Sequence, residues 1–140
     1  MLRVIPNCLS PDIMHALMSM GHGDEIVLAD ADFPGPALAQ RLIRADGVQL
    51  TTLLEAILPF FPLDPFTEKP VLTMDYKPWS PKEPPSYALF KSIIKKHAPR
   101  FNDFDYLERF ALYDRARQAY AVVMTSEPDG NLILKKGVCA

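Results

Sequence analysis

The run Glu25-Ile26-Val27-Leu28-Ala29-Asp30 constrains the fold more than any other stretch of the sequence. It is continuously apolar between two acids, so a strand built from it has no face suited to water. Such a strand needs cover on both sides, which places it centrally in a sheet lying between helices. The flanking sequence supplies the cover. Upstream, Ser10-Pro11-Asp12 reads as a helix start, with Ser at the N-cap, Pro at the first helical position and an acid in the first turn. Ile13, Met14, Leu17 and Met18 follow at helical spacing, and Gly21 is the expected C′ stop.

Further along, a second strand is expected around Val48-Gln49-Leu50. Thr52 with Glu55 three residues later predicts a capping box for a helix through Leu58, closed by Pro59. Val71-Leu72-Thr73-Met74 reads as a strand. After a Pro-rich loop holding Trp79, Ser86 opens a predicted helix with Tyr87, Phe90, Ile94 and His97 on one face, ended by Pro99. Phe104 to Arg109 reads as extended and Tyr113 to Ala119 as helical. Ala121 to Thr125 and Leu132 to Leu134 read as strands, with Pro128-Asp129-Gly130-Asn131 as the turn of a hairpin between them. Helices alternating with strands predict one α/β domain over residues 1–140. Its three layers are a mixed β-sheet with helices on both faces, and it ends in an antiparallel hairpin.

Composition narrows the function. The chain has 15 basic and 17 acidic residues and a formal net charge of −2. Its basic residues are scattered, which argues against nucleic acid or an anionic membrane as partner. No apolar run approaches the length of a membrane span, and no export signal is evident. The expected setting is therefore the reducing cytoplasm, with Cys8 and Cys139 as free thiols. Eight of the 14 prolines lie from Pro59 to Pro85, flanked by hydrophobic runs, and predict stiff connections rather than disorder.

Several residues could carry chemistry. His22 lies between two glycines in the loop entering the Ile26–Ala29 strand, uncrowded and on permissive backbone. Spacing alone leans toward a plain loop histidine after a helix-stopping Gly21. Asp30 ends a buried strand, where ligands gather in open α/β sheets; capping the turn Ala31 to Pro34 is an equal reading. Arg109, placed at a strand end with Tyr113 at the start of the next helix, can grip hydroxyls or a carboxylate, although a surface ion pair is the commoner fate of an arginine. Asp64 and Asp75 are loop acids of a kind usually solvated. His15 and His97 read as packing or surface residues. No metal-ligand spacing, phosphate-cradling glycine loop or nucleophile elbow is present, so no metal or cofactor is expected.

Taken together, Met20-Gly21-His22-Gly23-Asp24-Glu25-Ile26, Ala29-Asp30 with Phe33-Pro34, Ile43 to Gly47, Leu63-Asp64, Glu108-Arg109-Phe110 with Tyr113, and Gly130 to Val138 closely resemble the L-fucose mutarotase family, relatives of D-ribose pyranase. The match spans nearly the whole chain and is poorest from Tyr76 to Asp105. The resemblance implies an isomerase that exchanges sugar anomers without cofactor. It implies His22 as principal acid/base, Tyr113 as a second proton-transfer group, Asp30, Arg109 and Asn131 as ligands of sugar hydroxyls, and Asp64 as a contributor. It also implies a ring-shaped homo-oligomer, typically a decamer, with sites near subunit contacts. Arg109 after Glu108 resembles the fucose-type members. One departure stands out: the family's Tyr-Gly-Asn is Asp129-Gly130-Asn131 here. Either another residue, with Tyr76 and Trp79 as candidates, fills the gap, or the pocket favours a different sugar. The chief rival function is a non-catalytic sugar-binding accessory protein, and a bare interaction domain comes third.

Overall fold

The computed structural model describes residues 1–139. Six strands form one sheet: β1 (Glu25–Ala29), β2 (Leu42–Arg44), β3 (Val71–Met74), β4 (Asp105–Leu107), β5 (Ala121–Met124) and β6 (Leu132–Lys135), in the order β2-β5-β1-β6-β3-β4. β1 lies inside the sheet as its sequence predicts, and all five of its residues are buried. It runs parallel to β5 and antiparallel to β6. β6 is also antiparallel to β3, β3 is parallel to β4, and β2 is parallel to β5. Five strands therefore point one way, and β6 alone runs against them.

Helices cover both faces. On one side α1 (Pro11–Ser19), α3 (Leu50–Ile57) and α4 (Pro85–His97) contribute Ile13, Leu53, Ile57, Phe90 and Ile94 to a core with Ile26, Leu28 and Val123. On the other, α2 (Gly35–Leu38) and α5 (Arg109–Gln118) cover the sheet; Leu112 and Ala116 of α5 meet Val27, Val122 and Ile133. Alternate residues of β1 thus enter opposite cores, which is why the strand is apolar throughout.

The N-terminal helix forms as its cap predicts, with the Ile13 amide donating to Ser10 Oγ at 3.2 Å. It ends with Met20 extended, so the left-handed glycine is Gly23 (φ +87°) rather than Gly21, and Met18 points to solvent. The strand expected at Val48 to Leu50 is absent. Leu50, Leu53, Leu54 and Ile57 are all fully buried at helical spacing, so the helical period prevails and α3 opens at Leu50 with Gln49 as its cap. Thr52 therefore lies inside the helix and forms no capping box. Glu55 instead reaches α4, pairing with Lys96 and with His97 at 3.2 Å.

The terminal hairpin is also corrected. β5 and β6 do not pair, because β1 lies between them. The antiparallel partners of β6 are β1 and β3. The Pro128–Asn131 turn instead crosses the carboxyl end of β1, where Ala31 donates its amide to the Glu127 carbonyl at 2.9 Å.

Candidate active site

All five parallel strands end at the same edge of the sheet, and a cavity of about 800 Å³ opens there. Asp30, the residue after β1, forms its floor with Asn131, the residue before β6. The two side chains are interlocked. The Asp30 amide donates to Asn131 Oδ1 at 2.8 Å, and Asn131 Nδ2 donates to Asp30 Oδ2 at 3.2 Å. The amides of Gly130 and Asp32 add bonds of 3.2 Å and 3.1 Å to the same carboxylate. Asp30 is buried, which pushes its carboxyl above the usual aspartate range against the pull of those amides.

Glu108 caps α5, accepting from the amides of Phe110 and Ala111 at 3.0 and 3.2 Å. Arg109 is therefore the first residue of the helix, not the end of a strand, and Tyr113 lies one turn further in. The guanidinium donates from Nε to the Tyr113 hydroxyl at 3.0 Å. The Tyr113 ring is held edge-on to Phe33 and Phe110. Because the phenol oxygen accepts from a cation, its own proton is free to be donated into the cavity. Both residues line that cavity.

His22 sits elsewhere. The turn Gly21–Asp24, closed by Gly21 donating its amide to Asp24 Oδ2 at 2.7 Å, presents the imidazole at the amino end of β1. Nε2 lies 3.0 Å from Asp64 Oδ1, and the ring packs on Phe66 with centroids 5.5 Å apart. The histidine side chain is 44% exposed while that of Asp64 is only 4% exposed. Asp64 also accepts from the Thr67 hydroxyl at 2.6 Å and from the Phe66 amide at 3.1 Å. The Thr67 bond leads in drawing the Asp64 carboxyl down to about 2, with Phe66 and His22 adding to it against the cost of burial. Asp64 is thus ionised and faces the histidine. Facing a carboxylate, Nε2 carries the proton between them, so Nδ1 is the acceptor of the neutral ring.

The pattern for the RbsD / FucU transport protein family matches residues 3–139. The chain belongs to that family. An L-fucose mutarotase from Glaesserella parasuis is 46% identical over 140 residues, covering 99% of this chain and 96% of the relative. The crystal structure of a fucose mutarotase from Streptococcus pneumoniae in complex with L-fucose superposes with a TM-score of 0.90 at 40% identity, covering 99% of this chain and all of that one. FucU from Bifidobacterium longum superposes with a TM-score of 0.92 at 38% identity, over 97% and 99% of the two chains.

In this RbsD/FucU chain, then, the residues singled out in the sequence fall into two groups. Asp30, Arg109, Tyr113 and Asn131 meet in one cavity, whereas His22 and Asp64 pair with each other at the opposite end of β1. At about 3.3 Å per strand residue, β1 separates the groups by roughly 15 Å or more. A single chain does not bring all six together. Asp64, expected beside the sugar ligands, has its oxygens occupied by His22, Thr67 and Phe66. Sequence reading missed Phe66 and Thr67, which fix the histidine's partner. It also missed Met74, Lys82 and Glu83 on the cavity wall. Glu83 and Lys82 lie where the family resemblance is weakest, and the only local sign of a wall there was the density of prolines. Among the described residues no three His, Cys, Asp or Glu side chains stand close enough to hold a metal ion.

Proposed function

We propose that this chain is a mutarotase that exchanges the α and β anomers of a free monosaccharide, L-fucose, by general acid–base ring opening and closure. The observation that carries this is the cavity at the carboxyl end of β1. There a fixed carboxylate, a carboxamide, a guanidinium and a phenol converge on a volume suited to a monosaccharide. The L-fucose held by the Streptococcus pneumoniae relative supports the choice of sugar.

Anomer exchange removes a proton from the anomeric hydroxyl and delivers one to the ring oxygen. The ring opens to an aldehyde, C1 rotates, and closure gives the other anomer. Asp30 and Arg109 hold the hydroxyls through charge-assisted bonds, and the neutral Asn131 carboxamide adds an ordinary one. His22 takes the anomeric proton on Nδ1, with Asp64 steadying Nε2–H and the imidazolium that forms. Tyr113 donates to the ring oxygen. Each transfer contributes ~10²–10⁴-fold when the group is well placed.

Because β1 holds the two groups apart, the His22–Asp64 pair of one subunit completes the cavity of a neighbouring copy. The assembly is a closed ring-shaped homo-oligomer, a decamer. No helix among the described residues is long and apolar enough to cross a membrane, and the free thiols Cys8 and Cys139 suit the reducing cytoplasm.

Saturation-transfer proton NMR on the anomeric signals tests the activity. Wild-type protein accelerates exchange of L-fucose, and His22→Ala keeps the fold while losing most of that rate. Exchange no faster than buffer for L-fucose, D-ribose and D-galactose overturns the enzyme. Sugar binding without exchange selects the accessory binder instead.

A further inference from the structure

The loop from Asp75 to Pro84 joins β3 to α4, on the face of the sheet opposite α5. Arg109 and Tyr113 therefore form one wall of the cavity, Asp30 and Asn131 its floor, and this loop the other wall. Two aromatic residues of the loop line the cavity, and their surroundings differ. Tyr76 is half-buried and packed edge-on against Tyr87 and Tyr106, with centroids 6.0 and 6.3 Å away. Its ring is tied into that aromatic cluster. Trp79 is 59% exposed. Among the described residues it stacks on no other ring, and its indole N–H has no protein acceptor.

Such exposure on a mobile loop would mean little, but this loop is stiff. Trp79 and Ser80 donate their amides to the Tyr76 carbonyl at 3.0 and 2.9 Å. Pro78, Pro81 and Pro84 fix φ around them. Glu83 anchors the far end, accepting from Lys91 at 3.0 Å and from the Tyr106 hydroxyl at 2.9 Å. The indole is thus held at a cavity wall with little ordering left to do on binding.

We propose that Trp79 is the platform on which the apolar edge of the sugar stacks, C5 with its methyl group, and that it makes the site selective for a 6-deoxy sugar. The inference rests on the sugar reading above and adds how the site tells one sugar from another. Floor and facing wall offer charged and polar groups that hold hydroxyls and engage the reacting carbon. Trp79 offers a large apolar face instead. In a 6-deoxyhexose the carbon without any oxygen is C6, so the edge that gains most from an indole is C5–C6.

Trp79 is the only tryptophan in the chain, so its emission reports directly on this contact. Titration with L-fucose changes the emission saturably, with a midpoint matching the one read by NMR. D-Arabinose in its pyranose form, which has the L-fucose ring without the C6 methyl, changes it less. Trp79→Ala lowers the kcat/KM preference for L-fucose over D-arabinose on the order of tenfold, chiefly through KM, since one methylene in an apolar site is worth about that much. Trp79→Phe keeps most of the preference. Circular dichroism confirms that both variants are folded. Emission unaltered at L-fucose concentrations that saturate exchange, or a Trp79→Ala protein with wild-type KM and preference, overturns the proposal while leaving the mutarotase intact. If exchange itself is absent, the emission titration still decides whether the sugar meets Trp79, because it reads binding rather than turnover.

Discussion

His22 is half exposed, and what distinguishes it is the carboxylate beneath it. Asp64 accepts from Thr67, Phe66 and His22, and lies 3.9 Å from Lys135 Nζ. Those partners favour the charged form, so its pKa falls from 3.8 to about 2 on folding. A depressed carboxyl pKa contributes stability that is fully present above the unfolded value and lost as pH falls through the folded one. Denaturant midpoints should therefore carry an Asp64 contribution that is flat above pH 5 and is lost between about pH 4 and 2. In Asp64→Asn that contribution disappears. The carboxamide can keep its oxygen toward His22 and Phe66 and donate its N–H to the Thr67 hydroxyl, but the negative charge beside the imidazole is gone. Exchange in Asp64→Asn should fall on the order of 10²-fold, mainly in kcat, because the imidazolium formed during proton transfer loses its counter-charge. Wild-type kcat in that variant would remove Asp64 from the proton-transfer machinery.

At the scale of single elements, β1, α1 and α4 were legible because burial on both strand faces, a Ser-Pro-Asp start and a helical apolar series each leave a local mark. α3 was misread at its start: Val48-Gln49-Leu50 is too short a run to distinguish strand from helix by composition. The cavity residues Asp30 and Asn131 were legible as candidates, but their interlock joins positions 101 residues apart and has no local trace. The turn before β6 shows the same limit. Pro128 to Asn131 carries the signs of a hairpin, yet it is bent over Asp30. Its glycine is fixed by space as well as by angle. Gly130 has φ +137°, and a Cβ there would lie 2.7 Å from the buried Phe90 ring. Gly130→Ala should cost roughly 2–4 kcal/mol, combining overpacking with backbone strain, and displace the amide that holds Asp30. Urea denaturation gives the stability loss, and a raised KM for L-fucose the loss of grip. A neutral result in both would mean that the turn tolerates another path.

At the scale of the whole molecule, the proposed ring makes β1 a spacer with a half-site at each end, and head-to-tail contacts between identical copies would join those unlike ends. His22→Ala and Asp30→Asn chains are each expected to be inactive as homogeneous assemblies. Unfolded together in equal amounts and reassembled, they should regain about a quarter of wild-type exchange, the statistical share of contacts where an intact His22 meets an intact Asp30. No recovery in mixed assemblies of full size would place the whole site within one chain. Light scattering at micromolar concentration should report a large ring, and a monomer would contradict it. The direction of β1 also bears on biosynthesis. In the proposed assembly a newly made polypeptide would fold with both halves of the catalyst in place but out of reach of each other, so enzymatic competence would begin only when rings close and would be governed by how many copies the cell has accumulated.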